Sequence, residues 1–176
     1  MKNLCVFIIV IILSEPCFAE LLLQGETEYN VYTALGEVQN HFKPKINLLK
    51  FKPFLLDYNY DENLTALYKG IVELKDRELA LFSVGTYGVV YKNDPLHAYY
   101  YSNNGILEFV DIRSARQYPY KSYQYDMSGN LVNMGLRVSK SEAYLYTPNG
   151  KLVAHWVGEN GYDEKGYLIM KRKFVE

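Results

Sequence analysis

From Leu67 to the C-terminus the chain is written in short runs of apolar and aromatic residues, each closed by Gly, Pro, Asn, Asp, Ser or a charged pair. Runs of this length, rich in Val, Ile, Tyr and Phe and bounded by turn formers, predict β-strands. The expected strands are Gly70 to Leu74, Glu78 to Phe82, Tyr87 to Lys92, Ala98 to Tyr101, Ile106 to Ile112, Ser122 to Tyr125, Ala143 to Tyr146, Leu152 to Val157 and Tyr167 to Val175. Lys75-Asp76-Arg77 reads as the hairpin turn between the first two. Glu20 to about Tyr60 lacks this rhythm. Tyr29 to Phe42 has room for a short helix, and Phe42 to Phe54, interrupted by Pro44 and Pro53, reads as edge strand or loop because proline withdraws a ladder donor.

One phrase recurs inside the strand region: Tyr, a short turn closed by Gly, one residue, then Leu. Its copies run Tyr101 to Leu107, Tyr125 to Leu131, Tyr146 to Leu152 and Tyr162 to Leu168. After each Tyr stands Ser102, Asp126, Thr147 or Asp163, short side chains that accept hydrogen bonds from a turn backbone. Gly105, Gly129, Gly150 and Gly166 follow three residues later, where a type I turn running into a bulge requires positive φ. Such a hairpin sets Tyr101 opposite Leu107, Tyr125 opposite Leu131, Tyr146 opposite Leu152 and Tyr162 opposite Leu168. Each pair is worth about 0.2–1 kcal/mol.

The fold expected is all-β, an antiparallel meander of β-hairpin repeats over 67–176, with a less regular segment, 20–66, packed on the sheet in the same domain. A composition of 49% hydrophobic and 22% charged residues supports an ordinary core and excludes disorder. The 18 tyrosines favour strands and half-wet sheet faces, because each ring has a polar end that needs a partner.

Residues 1–19 read as a signal peptide: Lys2, an apolar run from Leu4 to Leu13, Pro16, and a cleavage site in Cys17-Phe18-Ala19. The apolar run is about half of the ~20 residues a bilayer span needs, so no stable membrane span is expected after cleavage. The mature chain would start at Glu20 in the secreted or periplasmic space, with a bacterial envelope favoured. Both cysteines, Cys5 and Cys17, leave with the signal, so no disulfide, thiol chemistry or cysteine-bound metal is expected. A net charge of −1 gives no sign of nucleic acid as a partner. Because a cysteine-free exported domain fits a bacterial envelope better than a eukaryotic secretory pathway, Asn63-Leu64-Thr65 is read as a chance sequon.

Tyr125-Asp126-Met127-Ser128-Gly129-Asn130-Leu131 resembles the Tyr-Asp repeat of Rhs-type shell proteins. Tyr146-Thr147-Pro148-Asn149-Gly150-Lys151-Leu152 resembles the MORN-related repeat of the YwqK-type antitoxin group. The resemblance spans roughly the last 75 residues, although the repeat glycines are 24, 21 and 16 residues apart rather than evenly spaced. It implies a β-meander used for enclosure or binding and carries no catalytic residue.

Candidate chemistry is sparse. His41, His97 and His155 lack metal-ligand spacing and are read as structural or surface residues. Asp57, Asp61 and Glu62 could hold Ca²⁺, but without the ordered spacing of a calcium loop they read as a solvated turn. No phosphate loop or nucleophile elbow is present in the sequence, and no cofactor is expected.

Two sets of residues have a functional reading. Lys43, Lys45, Lys50 and Lys52, set among Phe42, Phe51 and Phe54, form either a patch for anionic envelope polymers or a guard on an edge strand. Tyr99 and Tyr101 share one strand face, with Tyr100 on the other. Rings exposed on the Tyr99/Tyr101 face would stack on sugars or form a protein interface, whereas buried ones would be strand filler. The leading expectation is an exported, non-catalytic protein binding an envelope or extracellular protein or glycan. Behind it stand an immunity protein masking a secreted toxin, suggested by the repeat resemblance, and a hydrolase using Asp94, Asp111 or Glu108.

Overall fold

The computed structural model describes residues 28–48, 70–81 and 86–171. The signal segment, Lys50, Lys52, the Asp57/Asp61/Glu62 cluster, Asn63 and the end of the last expected strand lie outside them. The strands are β1 (Gly70–Glu73), β2 (Arg77–Leu81), β3 (Tyr87–Tyr91), β4 (Asp94–Tyr101), β5 (Leu107–Arg113), β6 (Tyr120–Asp126), β7 (Leu131–Arg137), β8 (Glu142–Tyr146), β9 (Leu152–Val157), β10 (Asn160–Tyr162) and β11 (Leu168–Lys171). They form one sheet in chain order, each strand antiparallel to the next, and β1 does not pair with β11. The all-β meander is as expected. Two strands escaped the hydrophobic pattern. Asn133 and Gly135 break the apolar run of β7, and β10 is three residues long, too short to carry a pattern.

The local geometry of the phrase repeats in every copy. Gly105, Gly129, Gly150 and Gly166 take φ of 75, 76, 85 and 80°. Their N–H groups donate to the carbonyls of Ser102, Asp126, Thr147 and Asp163 at 2.9–3.0 Å, closing the turns. The turn side chains add the bonds expected of them: Asp126 Oδ1 accepts from Ser128 N and Asn130 N, and Asp163 Oδ1 from Lys165 N and Tyr167 N. All four Tyr–Leu pairs form in the anticipated register. Just beyond each pair the ladder skips one residue, Glu108, Val132, Val153 or Ile169, which is the bulge that the positive-φ glycine prepares.

One face of the sheet is covered by the N-terminal segment. Helix α1 (Val31–Gln39) starts at Asn30, whose Oδ1 accepts from Tyr32 N and Thr33 N at 2.9 Å, while Thr33 Oγ1 accepts from Asn30 N at 2.8 Å. That reciprocal cap satisfies N–H groups a helix start leaves free. Val31, Ala34 and Val38 make the helix's apolar stripe and pack on Tyr123, Met134, Leu136, Tyr144 and Tyr146. A second core group holds Leu79, Leu81, Tyr87, Val89, Tyr99, Tyr101, Leu107 and Val110 with Leu48 on top. Ile46 and Ile112 touch both groups and join them.

The tyrosine hydroxyls explain how the helix is placed. Tyr123, Tyr125, Tyr144 and Tyr146 donate to the carbonyls of Val38, Lys43, Tyr29 and Val31 at 3.0, 3.0, 3.0 and 2.6 Å. Each ring is buried in the apolar layer, and its polar end is satisfied by backbone of the covering segment rather than by water. Beyond α1 a strap continues this cover: Leu131 N donates to Pro44 O at 3.1 Å and Ile46 N to Gly129 O at 2.9 Å. A Cβ at Gly129 would collide with Ile46 O, so glycine is demanded here by the strap as well as by φ.

Candidate functional site

The pleat sorts the side chains of the central strands into two sets. Tyr99 and Tyr101 fall on the covered face, 3% and 1% exposed, with Tyr101 stacked on Tyr87 at 5.3 Å. This corrects their reading as exposed partner-binding rings: they are core residues, packed with Leu48 and Ile46 of the strap. Tyr100 lies on the opposite face, half-buried, its ring against the flat backbone of Gly88.

That opposite face, between β4 and β7, presents Tyr100, Phe109, Tyr120, Arg113 and Arg137, with Asp111, Ser122, Gln124 and Asn133 between them. No Lys or Glu stands at its paired positions. All of these residues are partly accessible to solvent. Gln124 accepts from Asn133 Nδ2 at 2.9 Å, Arg113 lies over the Tyr120 ring at 5.6 Å, and Tyr118 stacks on Tyr120 at 5.4 Å. Asp111 is the anionic centre. Burial pushes its carboxyl up to about 6, against the pull of Arg113, Arg137 and His97. Burial likewise pushes the Tyr100 hydroxyl up to about 12, against the pull of Arg113, which donates a hydrogen bond to it.

At one rim of the sheet, where β4 begins, His97 Nδ1 contacts Asp94 Oδ1 at 2.6 Å, and Tyr99 OH donates to Asp94 Oδ2 at 3.0 Å. Asp94 thus holds an imidazole in place beside an open groove of about 630 Å³ lined by Asn93–His97 and by Ala115, Arg116 and Gln117 of the β5–β6 loop. A carboxylate-held imidazole can move a proton. The three carboxylates suggested for a hydrolase do not assemble, however. Glu108 sits exposed at a bulge, Asp111 is on the polar face, and Asp94 is bound to residues of the covered side.

The remaining candidates are dispersed. Lys43 and Lys45 are exposed on the strap, where Lys45 is bridged to Asn130 and faces Asp126. Hydrogen bonds from Asn130 and Ser128, with Lys45 nearby, hold the Asp126 carboxyl below its ordinary range. His41 is exposed and accepts from Lys121 Nζ at 3.3 Å. Among the described residues no three His, Cys, Asp or Glu side chains come together to hold a metal ion. No helix among them is long and apolar enough to cross a membrane.

A polar pair that sequence reasoning missed lies in the core. Glu142 and His155 are fully buried and bonded at 3.1 Å, and His155 stacks flat on Tyr144 at 4.1 Å. Tyr144 OH also lies 2.9 Å from Glu142 Oε1, which with burial raises its pKa. The register brings His155 to this site, with Glu142 diagonal to it, opposite Val157. Stepping two residues back from Tyr146, with the bulge counted, sets Tyr144 opposite His155.

No known protein family, curated protein or solved structure matches this chain.

Proposed function

We propose that this chain is an exported, non-catalytic β-meander protein that binds an envelope or extracellular protein or glycan through the polar face of its sheet, around Tyr100, Arg113, Tyr120 and Arg137. The observation that carries the reading is the make-up of that face: aromatic rings and guanidinium groups interleaved with amides, with no Lys or Glu at its paired positions. Binding surfaces favour this mix, because rigid rings and planar forks lose little freedom on contact while Lys and Glu are costly to desolvate. A merely solvated sheet face would instead be expected to display Lys, Glu and Thr. Export is supported by the leader pattern of residues 1–19, and a function without catalysis by the dispersal of Asp94, Glu108 and Asp111.

The test is capture from a cell-envelope extract by the immobilised mature protein, comparing wild type with a Tyr120→Ser/Arg137→Ser variant and with Lys140→Ser as an exposed control outside the face. Loss of the captured species in the double variant alone, with an unchanged circular dichroism spectrum, is expected. Equal capture by the double variant, or no capture by wild type, contradicts the reading. Export has its own check. Mass spectrometry of native protein should find Glu20 as the first residue, and retention of residues 1–19 would refute it.

A further inference from the structure

The rim groove narrows the class of ligand, on the premise that the polar face is a binding surface. A second groove of about 470 Å³ adjoins the first, lined among others by Glu73, Glu78, Lys92 and Arg113, and Pro95 and Arg116 line both. Of the cations at this junction, Lys92 is paired with Glu73 at 2.8 Å and Arg113 lies beside Asp111 and over Tyr120. Arg116 is exposed and has no ion-pair or hydrogen-bond partner among the described residues. Its fork therefore stands open between the two grooves, and such a fork matches a carboxylate with two parallel bonds.

The rest of the first groove limits what can carry that carboxylate. Asn93, Asp94, His97 and Gln117 are planar polar groups offering acceptors and donors side by side. Asp94, already bonded to His97 and Tyr99, keeps lone pairs for a further donor, and Glu78 at the adjoining groove adds another exposed negative charge. A phosphate chain brings no hydroxyl donors and a poly-glutamate chain brings carboxylates without hydroxyls, whereas a sugar acid brings one carboxylate for Arg116 and hydroxyl donors for the neighbouring acceptors. Tyr118, the residue after Gln117 in the same loop, is 47% exposed and stacked on Tyr120.

We propose that the two rim grooves form a subsite for a uronic acid unit of an extracellular polysaccharide. Arg116 holds the sugar carboxylate, Asp94, His97 and Gln117 bond ring hydroxyls, and Tyr118 covers an apolar sugar face.

Calorimetry of the full mature protein with oligogalacturonate, alginate and hyaluronate oligosaccharides, with methyl-esterified oligogalacturonate, with a neutral glucan and with poly-glutamate tests it. At least one uronate should bind, about tenfold or more tighter than the ester or the neutral chain, as expected for losing a charged bidentate contact. Arg116→Gln, at an exposed site, should erase that preference, while Asp94→Asn should weaken binding yet keep the preference for acid over ester. Equal binding of acid and ester, equal binding of poly-glutamate, or no binding of any uronate overturns the proposal. The envelope capture separates this failure from a broader one. Capture that survives Arg116→Gln but not Tyr120→Ser/Arg137→Ser refutes the uronate subsite alone, and wild type that captures nothing refutes the binding surface itself.

Discussion

Tyr99 and Tyr101 differ from Tyr100 only in the side of the pleat they occupy, yet the two sides have become different materials. On one, the rings are sealed under α1 and the strap, with tyrosine hydroxyls of β6 and β8 bonded to the covering backbone. On the other, rings and guanidinium groups stay partly open to solvent around a raised Asp111. The comparison teaches that a tyrosine-rich meander uses the same residue for two purposes, and that what decides between them is the covering segment.

The sharpest way to break this comparison is to truncate a ring on each side. Tyr101→Ser should cost about 3–5 kcal/mol, the range for emptying a packed aromatic site. Tyr118→Ser, on the open side, should stay within about 0.5 kcal/mol, as for a surface change. Denaturant titration reads both. Equal losses would mean that the two sides are not distinct.

Gly129→Val attacks the cover itself. It combines a β-branched residue at φ of 76° with a collision against the Ile46 carbonyl, so a loss of roughly 2–4 kcal/mol is expected. Gly150→Val should cost less, because its Cβ would meet the movable end of Gln39, at 2.6 Å. Thermal melts that ranked the two in reverse would show that the strap does not lock the covered face.

A smaller effect isolates the hydroxyls. Tyr146→Phe leaves the ring and strands the bond to Val31 O, which should cost about 1–3 kcal/mol. Tyr118→Phe should be silent. A silent Tyr146→Phe would mean that the hydroxyls do not help to hold the helix on the sheet.

A pH slope reads the polar side. The folded protein holds the Asp111 proton more tightly than the unfolded chain does, with a pKa of about 6 against an ordinary 3.8. The stabilising contribution is therefore complete below the unfolded value and is lost as the pH rises through about 6. Asp111→Asn should flatten the wild-type stability profile across that window while leaving the rest of the curve in place. An unchanged slope in the variant would remove Asp111 from its buried site.

How much of this was legible follows the range of the interactions. The turn chemistry is local, so Ser102, Asp126, Thr147 and Asp163 with their glycines announced the turns, the register and the Tyr–Leu pairs. The alternation of Tyr99, Tyr100 and Tyr101 was equally plain. Which of those faces is covered was not, because the answer lies in Ile46 and Leu48, about fifty residues upstream, and short-range patterning carries no record of where a distant segment docks. The same distance hid the use of the tyrosine hydroxyls. Glu142 and His155 were missed for a related reason: thirteen residues apart, they meet only through a register that includes a bulge. The rim groove depends on the β5–β6 loop lying beside the start of β4, which no single segment encodes.

The account's central claim is that one side of the sheet is core and the other receives a partner. Hydroxyl-radical footprinting of the mature protein, read by mass spectrometry with and without the envelope fraction it captures, tests both halves together. The prediction is that Tyr99, Tyr101 and Tyr146 stay unmodified in either condition, while Tyr118 and Tyr120 are modified in the free protein and protected in the bound one. Modification of Tyr101 in the free protein, or Tyr118 and Tyr120 equally modified with and without the partner, would contradict it.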